Sequence, residues 1–389
     1  MKFLRTLSTT RLIVLVAGVL ALSGGGAAIA VAAGGGNGPT PPAKPLDQAI
    51  HDSLAGTAPE GITARIRFTN NLFPSGALLG NVGSALMSGA SGRLWLTNDG
   101  RGRIELQSDA GDAQIVWGKD AVTVYDASSN TVYRASLAGA APAPTDKSAP
   151  PALSEIDTLL GKLGAHATIS DAQPTNVANQ PAYGVSVSPK HDGGLLGSAE
   201  LAWDAARGVP LRIAVFAQGH TAPALELRVT DISYGPVAAA DVQVSPPAGA
   251  KVVDLGGPSS HEQGAPGDKG SAVTGLAAVQ AAVDFPVSAP DTLVGLPRKD
   301  VRLVGGKTVL VAYGQGLGGV LVVERKADAS TPGGGLGASL PALSLDGVTA
   351  HELATQLGSV IEWQRGGTAY VLAGSLPSAA AESAARSLK

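Results

Sequence analysis

Residues 91–137 constrain this chain more than any other stretch. They read SGRLWLTNDGRGRIELQSDAGDAQIVWGKDAVTVYDASSNTVYRASL. Apolar and polar side chains alternate through one short segment after another, and Asn-Asp-Gly, Asp-Ala-Gly, Gly-Lys-Asp and Ser-Ser-Asn break the segments apart. Successive side chains on a strand point to opposite faces, so this pattern predicts an antiparallel meander with one apolar and one wet face. Leu94, Leu96, Ile104, Leu106, Ile115, Val122 and Val124 share the apolar side. Arg93, Arg103, Glu105 and Gln107 take the other. Residues 62–70 (ITARIRFTN) alternate likewise, with Ile62, Ala64, Ile66 and Phe68 opposite Arg65 and Arg67.

Composition narrows what such a sheet can carry. The 389 residues suffice for roughly two domains. Aromatics make up only 4%, so Val, Leu, Ile and Ala must build the core. The formal charge is −3, with no basic stripe, which argues against a nucleic-acid partner. With no cysteine, disulfides, thiolate metal sites, a cysteine nucleophile and a lipid-modified N-terminal cysteine are excluded.

Lys2, Arg5 and Arg11 precede an uncharged stretch, residues 12–33, which has the form of an export signal. Ala28-Ile29-Ala30 fits a small-x-small cleavage site, yet the stretch is also long enough to stay as an anchor. Residues 1–33 are therefore a signal peptide or membrane anchor, a transmembrane helix in the second case. Both place the remainder outside the cytoplasm, secreted or held at the cytoplasmic membrane.

The rest divides into a Gly/Pro linker (34–45), a first domain (46–254), a second linker (255–271) and a small α+β domain (272–389). In the first domain, residues 46–54 and 153–163 have helical spacing of apolar residues, the latter through Leu153, Ile156, Leu159, Leu160 and Leu163. Strands are expected over 168–170, 181–188, 199–204, 210–218 and 224–234, and Pro246-Pro247 is expected to close the domain. In the second domain, 272–283, 349–357 and 377–388 are expected as helices, and 301–304, 308–313, 320–325, 358–364 and 368–373 as strands. Residues 71–90 carry no charge and no clean period. They read either as a buried loop or short helix, or as an apolar flap containing Leu72, Phe73, Leu78, Leu79, Leu86 and Met87.

Motifs for chemistry are weak. Gly314-x-Gly316-x-x-Gly319 matches a dinucleotide fingerprint, but a strand follows it instead of the helix whose N-terminus would hold a pyrophosphate. The six histidines are scattered without metal spacing, and no Gly-x-Ser-x-Gly elbow occurs. No cofactor, metal site or catalytic residue is expected, and the chain is read as a non-enzyme. Arg65, Arg67, Arg93 and Arg103 form an arginine-rich set. It suits cross-strand charge pairs on a wet face, or contacts with lipid head groups or an acidic partner.

The run GRLWL…GRIELQS…QIVWGKDAVTVYDASSNTVYR, ending in a Tyr125-Asp126-turn-Tyr133 hairpin, resembles the strand unit of LolA-like lipoprotein carriers and RseB-like regulators. The resemblance covers residues 46–254. It implies an α+β fold: an antiparallel unclosed β-barrel, curved like a half-pipe and lidded by short helices, that takes hydrophobic ligands on its concave side. Residues 311–313 and IEWQRGGTAYVLAGSLPS resemble small α+β extensions found after such half-barrels in actinobacterial proteins. On that reading the concave face is Ile66, Phe68, Leu94, Leu96, Ile104, Leu106, Val122 and Val124, and ordinary core packing is the competing reading for each. The implied ligands are lipid or lipoprotein acyl chains. The RseB-like alternative is a sensor that grips a membrane-protein partner such as an anti-sigma factor.

Overall fold

The computed structural model describes residues 38–72, 89–109, 111–118, 121–136, 151–245, 247–254, 273–327 and 340–388. Its elements run α1 (Leu46–Ala55), β1 (Gly61–Asn70), β2 (Ala90–Thr97), β3 (Gly102–Ser108), β4 (Gly111–Trp117), β5 (Ala121–Asp126), β6 (Thr131–Ser136), α2 (Leu153–Gly164), β7 (Ala167–Ile169), β8 (Gln173–Val177), β9 (Gln180–Pro189), β10 (Leu196–Asp204), β11 (Pro210–Ala217), β12 (Leu225–Tyr234), α3 (Ala239–Val242) and β13 (Lys251–Asp254). There follow α4 (Leu276–Ala282), β14 (Thr292–Leu293), β15 (Leu296–Val304), β16 (Thr308–Tyr313), β17 (Val320–Lys326), β18 (Ala342–Leu345), β19 (Val348–Thr355), β20 (Gly358–Arg365), β21 (Thr368–Gly374) and α5 (Ser378–Ser387).

Two sheets result. The large one holds the described strands β1 to β13 in the order β13-β6-β5-β4-β3-β2-β1-β12-β11-β10-β9-β7, with β8 paired to β9. Its edges, β13 and β7, do not meet, so the curled sheet stays open. The small one runs β14-β15-β16-β17-β21-β20-β19-β18. This is an α+β fold whose large sheet is an unclosed half-barrel.

Turn chemistry explains the meander. Asp126 is buried at the β5–β6 turn, where it accepts hydrogen bonds from Ser128 N–H (3.0 Å), Ser128 Oγ (2.7 Å) and Ser129 Oγ (2.8 Å). Asn130 takes the left-handed φ of 45° that closes the turn. At the β10–β11 turn, Asp204 accepts from the backbone of Ala206 and Arg207, and Tyr234 O–H donates to it over 2.7 Å. Burial and the Asp204 carboxylate push the Tyr234 phenol far above its ordinary pKa, so it remains a donor.

Helix α1 covers one end of the large sheet. Leu46, Ala49 and Ile50 pack with Tyr183, Leu201 and Trp203, and Trp203 Nε1 donates to Ser53 Oγ over 2.7 Å. Helix α2 packs on α1. Of its apolar residues, Ile156 is buried while Leu153 and Leu159 are 40% and 48% exposed. The linker is strapped down as well: Asn176 Nδ2 donates to Pro39 O (2.8 Å) and Tyr183 O–H to Pro42 O (2.7 Å).

Several elements differ from the sequence reading. Residues 349–357 are not a helix; 348–355 form strand β19, paired with β18 and β20. Ala350, Leu353 and Leu357 have helical spacing, but Ala350 is fully buried within a sheet ladder. Asp346 and Gly347, at φ 52° and 86°, make the tight β18–β19 turn. The large sheet does not end at Pro246-Pro247. The chain returns as β13, the one parallel partner among its described pairings, beside β6. Strand β8 and helix α3 were also unexpected. No helix among the described residues is long and apolar enough to cross a membrane. The segment expected to do so lies outside them.

The small sheet buries an acid. Glu324 is fully buried; its Oε2 accepts from Ser288 N–H (2.9 Å) and its Oε1 has no partner. Burial raises its pKa to about 7. A folded pKa above the unfolded value means that the native state holds the proton more tightly. Stability is therefore fullest below the model-peptide value of 4.5 and declines as pH rises through about 7. We expect a loss on the order of 3 kcal/mol across that range. Denaturant unfolding of the small sheet at pH 5 and pH 8 measures it, and Glu324→Gln should flatten the dependence.

Candidate functional site

Register builds one oily face. On β1, Phe68 lies opposite Leu227 and Ala90, Ile66 opposite Val229 and Gly92, and Ala64 opposite Ile232 and Leu94. The row continues outward through Leu94–Ile104, Ile104–Ile115, Ile115–Val124 and Val124–Tyr133. Beside it run Gly92–Leu106 and Leu106–Ala113. Small residues thus face large ones at Ala64, Ala90, Gly92 and Ala113. At Gly92 a Cβ would sit 1.9 Å from the Glu105 carbonyl oxygen and 3.0 Å from a Leu106 methyl, so the strands close here only around glycine.

The expected concave-face residues separate into three groups. Ile66 and Leu106 are buried, at 2% and 3% exposure, in a cluster with Ile62, Ala64, Leu211 and Val229. Phe68, Leu94, Leu96 and Ile104 are half-buried and pack against that cluster. Val122 and Val124 are half-buried farther out on β5 and lie outside it. Leu225 and Leu227 of β12 and Ile213 of β11 extend the same wall. Their alternation in ALELRVTDISY is plain enough to have placed them there from sequence.

Of the expected flap, Leu72 alone lies among the described residues; Phe73, Leu78, Leu79, Leu86 and Met87 fall outside them. Leu72 N–H donates to Asn70 Oδ1 (3.0 Å), and its carbonyl accepts from Gln356 N–H (2.9 Å) in the small sheet. The root of the segment between β1 and β2 is thus tied to β19–β20.

Register places two of the arginine set across from carboxylates, Arg65 opposite Asp231 and Arg93 opposite Glu105, though neither pair closes to an ion pair. Arg103 does meet a carboxylate, that of Glu105, and its guanidinium lies 5.0 Å from the centre of the Trp95 ring. On their other sides Arg65 and Arg93 stand opposite one another, and Arg67 stands opposite Arg228. Sequence does not reveal register, and register decides which charges meet.

Tyr234, which packs against the oily cluster, donates to the buried Asp204. Among the described residues, no group of three or more His, Asp or Glu side chains is placed to hold a metal ion. What the face offers is apolar contact.

No family model and no curated protein matches the sequence. Solved structures resemble the fold. The chain is similar to MucB in complex with MucA(peri), at 15% identity over 88% of this chain and 96% of that one, with a TM-score of 0.40. It is also similar to an uncharacterized conserved protein from Thermus thermophilus, at 11% identity over 54% of this chain and 96% of that one, TM-score 0.32. A putative outer membrane lipoprotein-sorting protein domain from Vibrio parahaemolyticus resembles it at 11% identity over 51% of this chain and 96% of that one, TM-score 0.24. The half-barrel form stands on this chain's own strand order.

Burial separates structural wall from accessible wall. Leu106→Ala removes a side chain in full contact and should cost about 2–5 kcal/mol. Val124→Ala exchanges a half-buried side chain and should cost about 1 kcal/mol or less. Urea unfolding midpoints of the two variants, compared with the parent chain, test this division.

Proposed function

We propose that the large sheet is a non-enzymatic, extracytoplasmic binder of a hydrophobic ligand, carrying or chaperoning lipid or lipoprotein acyl chains. The observation that carries the reading is the half-buried row Phe68, Leu94, Leu96 and Ile104, laid against a buried floor on the inner face of an open sheet. Val122 and Val124 extend that row toward β5. A methylene transferred to water costs about 0.8 kcal/mol, so an acyl chain leaving a bilayer gains from such a wall. The segment carrying Leu72, Phe73, Leu78, Leu79, Leu86 and Met87 is the flap that covers the ligand. The N-terminal segment exports the chain or holds it at the cytoplasmic membrane. Residues 46–254 and 272–389 act as its two domains.

A second reading is an RseB-like regulator that grips a membrane protein such as an anti-sigma factor. It is favoured by contacts between the two sheets, which would let them close on a partner together. Gly318 N–H donates to Asp192 O (2.5 Å), and Leu195 N–H donates to Ser375 Oγ (2.8 Å).

Native mass spectrometry of the gently extracted chain tests the first reading. Bound lipid should be present, and a labelled fatty acid should enter after delipidation. Ile104→Trp, which fills the wall without adding charge, should cut that uptake by roughly tenfold while leaving the fold intact. A chain that is consistently empty and takes up no label removes the carrier reading. A stable crosslink to a single-span membrane protein would then favour the regulator.

A further inference from the structure

The outer face of the half-barrel carries a cluster of four arginines that form no ion pair among the described residues. Arg65 and Arg67 on β1, Arg93 on β2 and Arg228 on β12 sit on three adjacent strands. Arg67 faces Arg228, an arrangement that costs a sheet stability, while Arg65 and Arg93 face one another on one side and Asp231 and Glu105 on the other. The nearby acids are largely committed elsewhere. Glu105 pairs with Arg103, and Glu200 and Glu226 each hold Arg212 at 2.5 Å. Asp231, opposite Arg65, is the one uncommitted acid beside the patch.

A depression of about 450 Å³ opens here, lined by Arg65, Ser91, Gly92, Arg93, Glu105 and Gln107. Trp95 shares the face, two residues from Arg93. Arginine forks match phosphate oxygens, and a half-buried tryptophan beside cations is the side-chain mixture of a membrane interface.

We propose that Arg65, Arg67, Arg93 and Arg228 dock this face on the phosphodiester head groups of anionic phospholipids. The inference rests on the extracytoplasmic, membrane-tethered reading above and adds the surface that meets the membrane. Binding should be saturable, specific for the anionic head group, and weakened by salt.

The test uses the full chain in neutral maltoside micelles, titrated with dihexanoylphosphatidylglycerol or dihexanoylphosphatidylcholine below their micellar concentrations. The emission of Trp95 is the signal, and Trp95→Phe is the blank. Phosphatidylglycerol should shift the emission and phosphatidylcholine should not. Substituting both Arg65 and Arg93 by Gln should weaken binding about thirtyfold, near fivefold for each cation lost. The melting temperature of Arg67→Gln should hold or rise, because a repulsion has been removed; a charge-paired structural arginine would lower it. Ile104→Trp separates this surface from the oily wall, since it should cut acyl-chain uptake about tenfold yet leave the Trp95-dependent emission shift. Equal responses to the two lipids, or unchanged affinity in the double variant, overturn the proposal. So does displacement by inorganic phosphate at the same concentration as lipid. Tighter binding of a glutamate-rich peptide would assign the face to an acidic protein instead.

Discussion

Period-two alternation on a sheet that never closes is the constraint from which the rest follows. Each strand of the β1–β6 meander sends one set of side chains inward and the other outward, so one curved layer has two chemically opposed surfaces. A closed barrel of this sequence would fill its interior with its own side chains. An open one leaves the inner face to be covered by other elements. Helix α1 does this at the β9–β11 end, where Tyr183, Leu201 and Trp203 lie beneath Leu46 and Ile50. The residues Phe68, Leu94, Leu96 and Ile104 pack instead against the separate cluster of Ile62, Ala64 and Ile66.

The opposed faces also explain how the sheet keeps its register. A slip of one residue would turn Ile66 and Leu94 to water and Arg65 and Arg93 into the oily cluster. Burying an unpaired guanidinium is far costlier than tolerating two that face one another in solvent. Repulsion across Arg65–Arg93 is thus compatible with a well-specified sheet, because the inner face fixes the alignment and the outer face must accept it. Arg212, clamped between Glu200 and Glu226, shows the neutralised arrangement the same face adopts two strands from β1.

Much of this was legible in the sequence, for local reasons. Strands β2 to β6 announce themselves because their turn residues, such as Asp126 and Asn130, carry their own hydrogen-bonding and φ preferences. Strand β19 did not, because Ala350, Leu353 and Leu357 are spaced as on a helix, and only pairing with β18 and β20 decides otherwise. The Asp346-Gly347 turn was the overlooked local signal. Strand β13 has four residues and a parallel partner more than a hundred positions away, so no short-range pattern marks it. The oily wall could be sketched from alternation, including the Leu225–Val229 run that was passed over. The pairing of Arg65 with Arg93 could not, since it depends on how two strands align.

The two sheets are not independent bodies joined by a loose string. The glycine turn after β16, which mimics a nucleotide loop in sequence, sits against the β9–β10 hairpin. A Cβ on Gly318 would lie 2.9 Å from the Asp192 carbonyl oxygen, so the close approach depends on its absence. Ser375 reaches the same hairpin at Leu195. A third contact, from Gln356 to Leu72, holds the point where the chain leaves β1 for the apolar segment before β2. The small sheet therefore grips both a hairpin of the half-barrel and the root of the segment proposed to cover its wall.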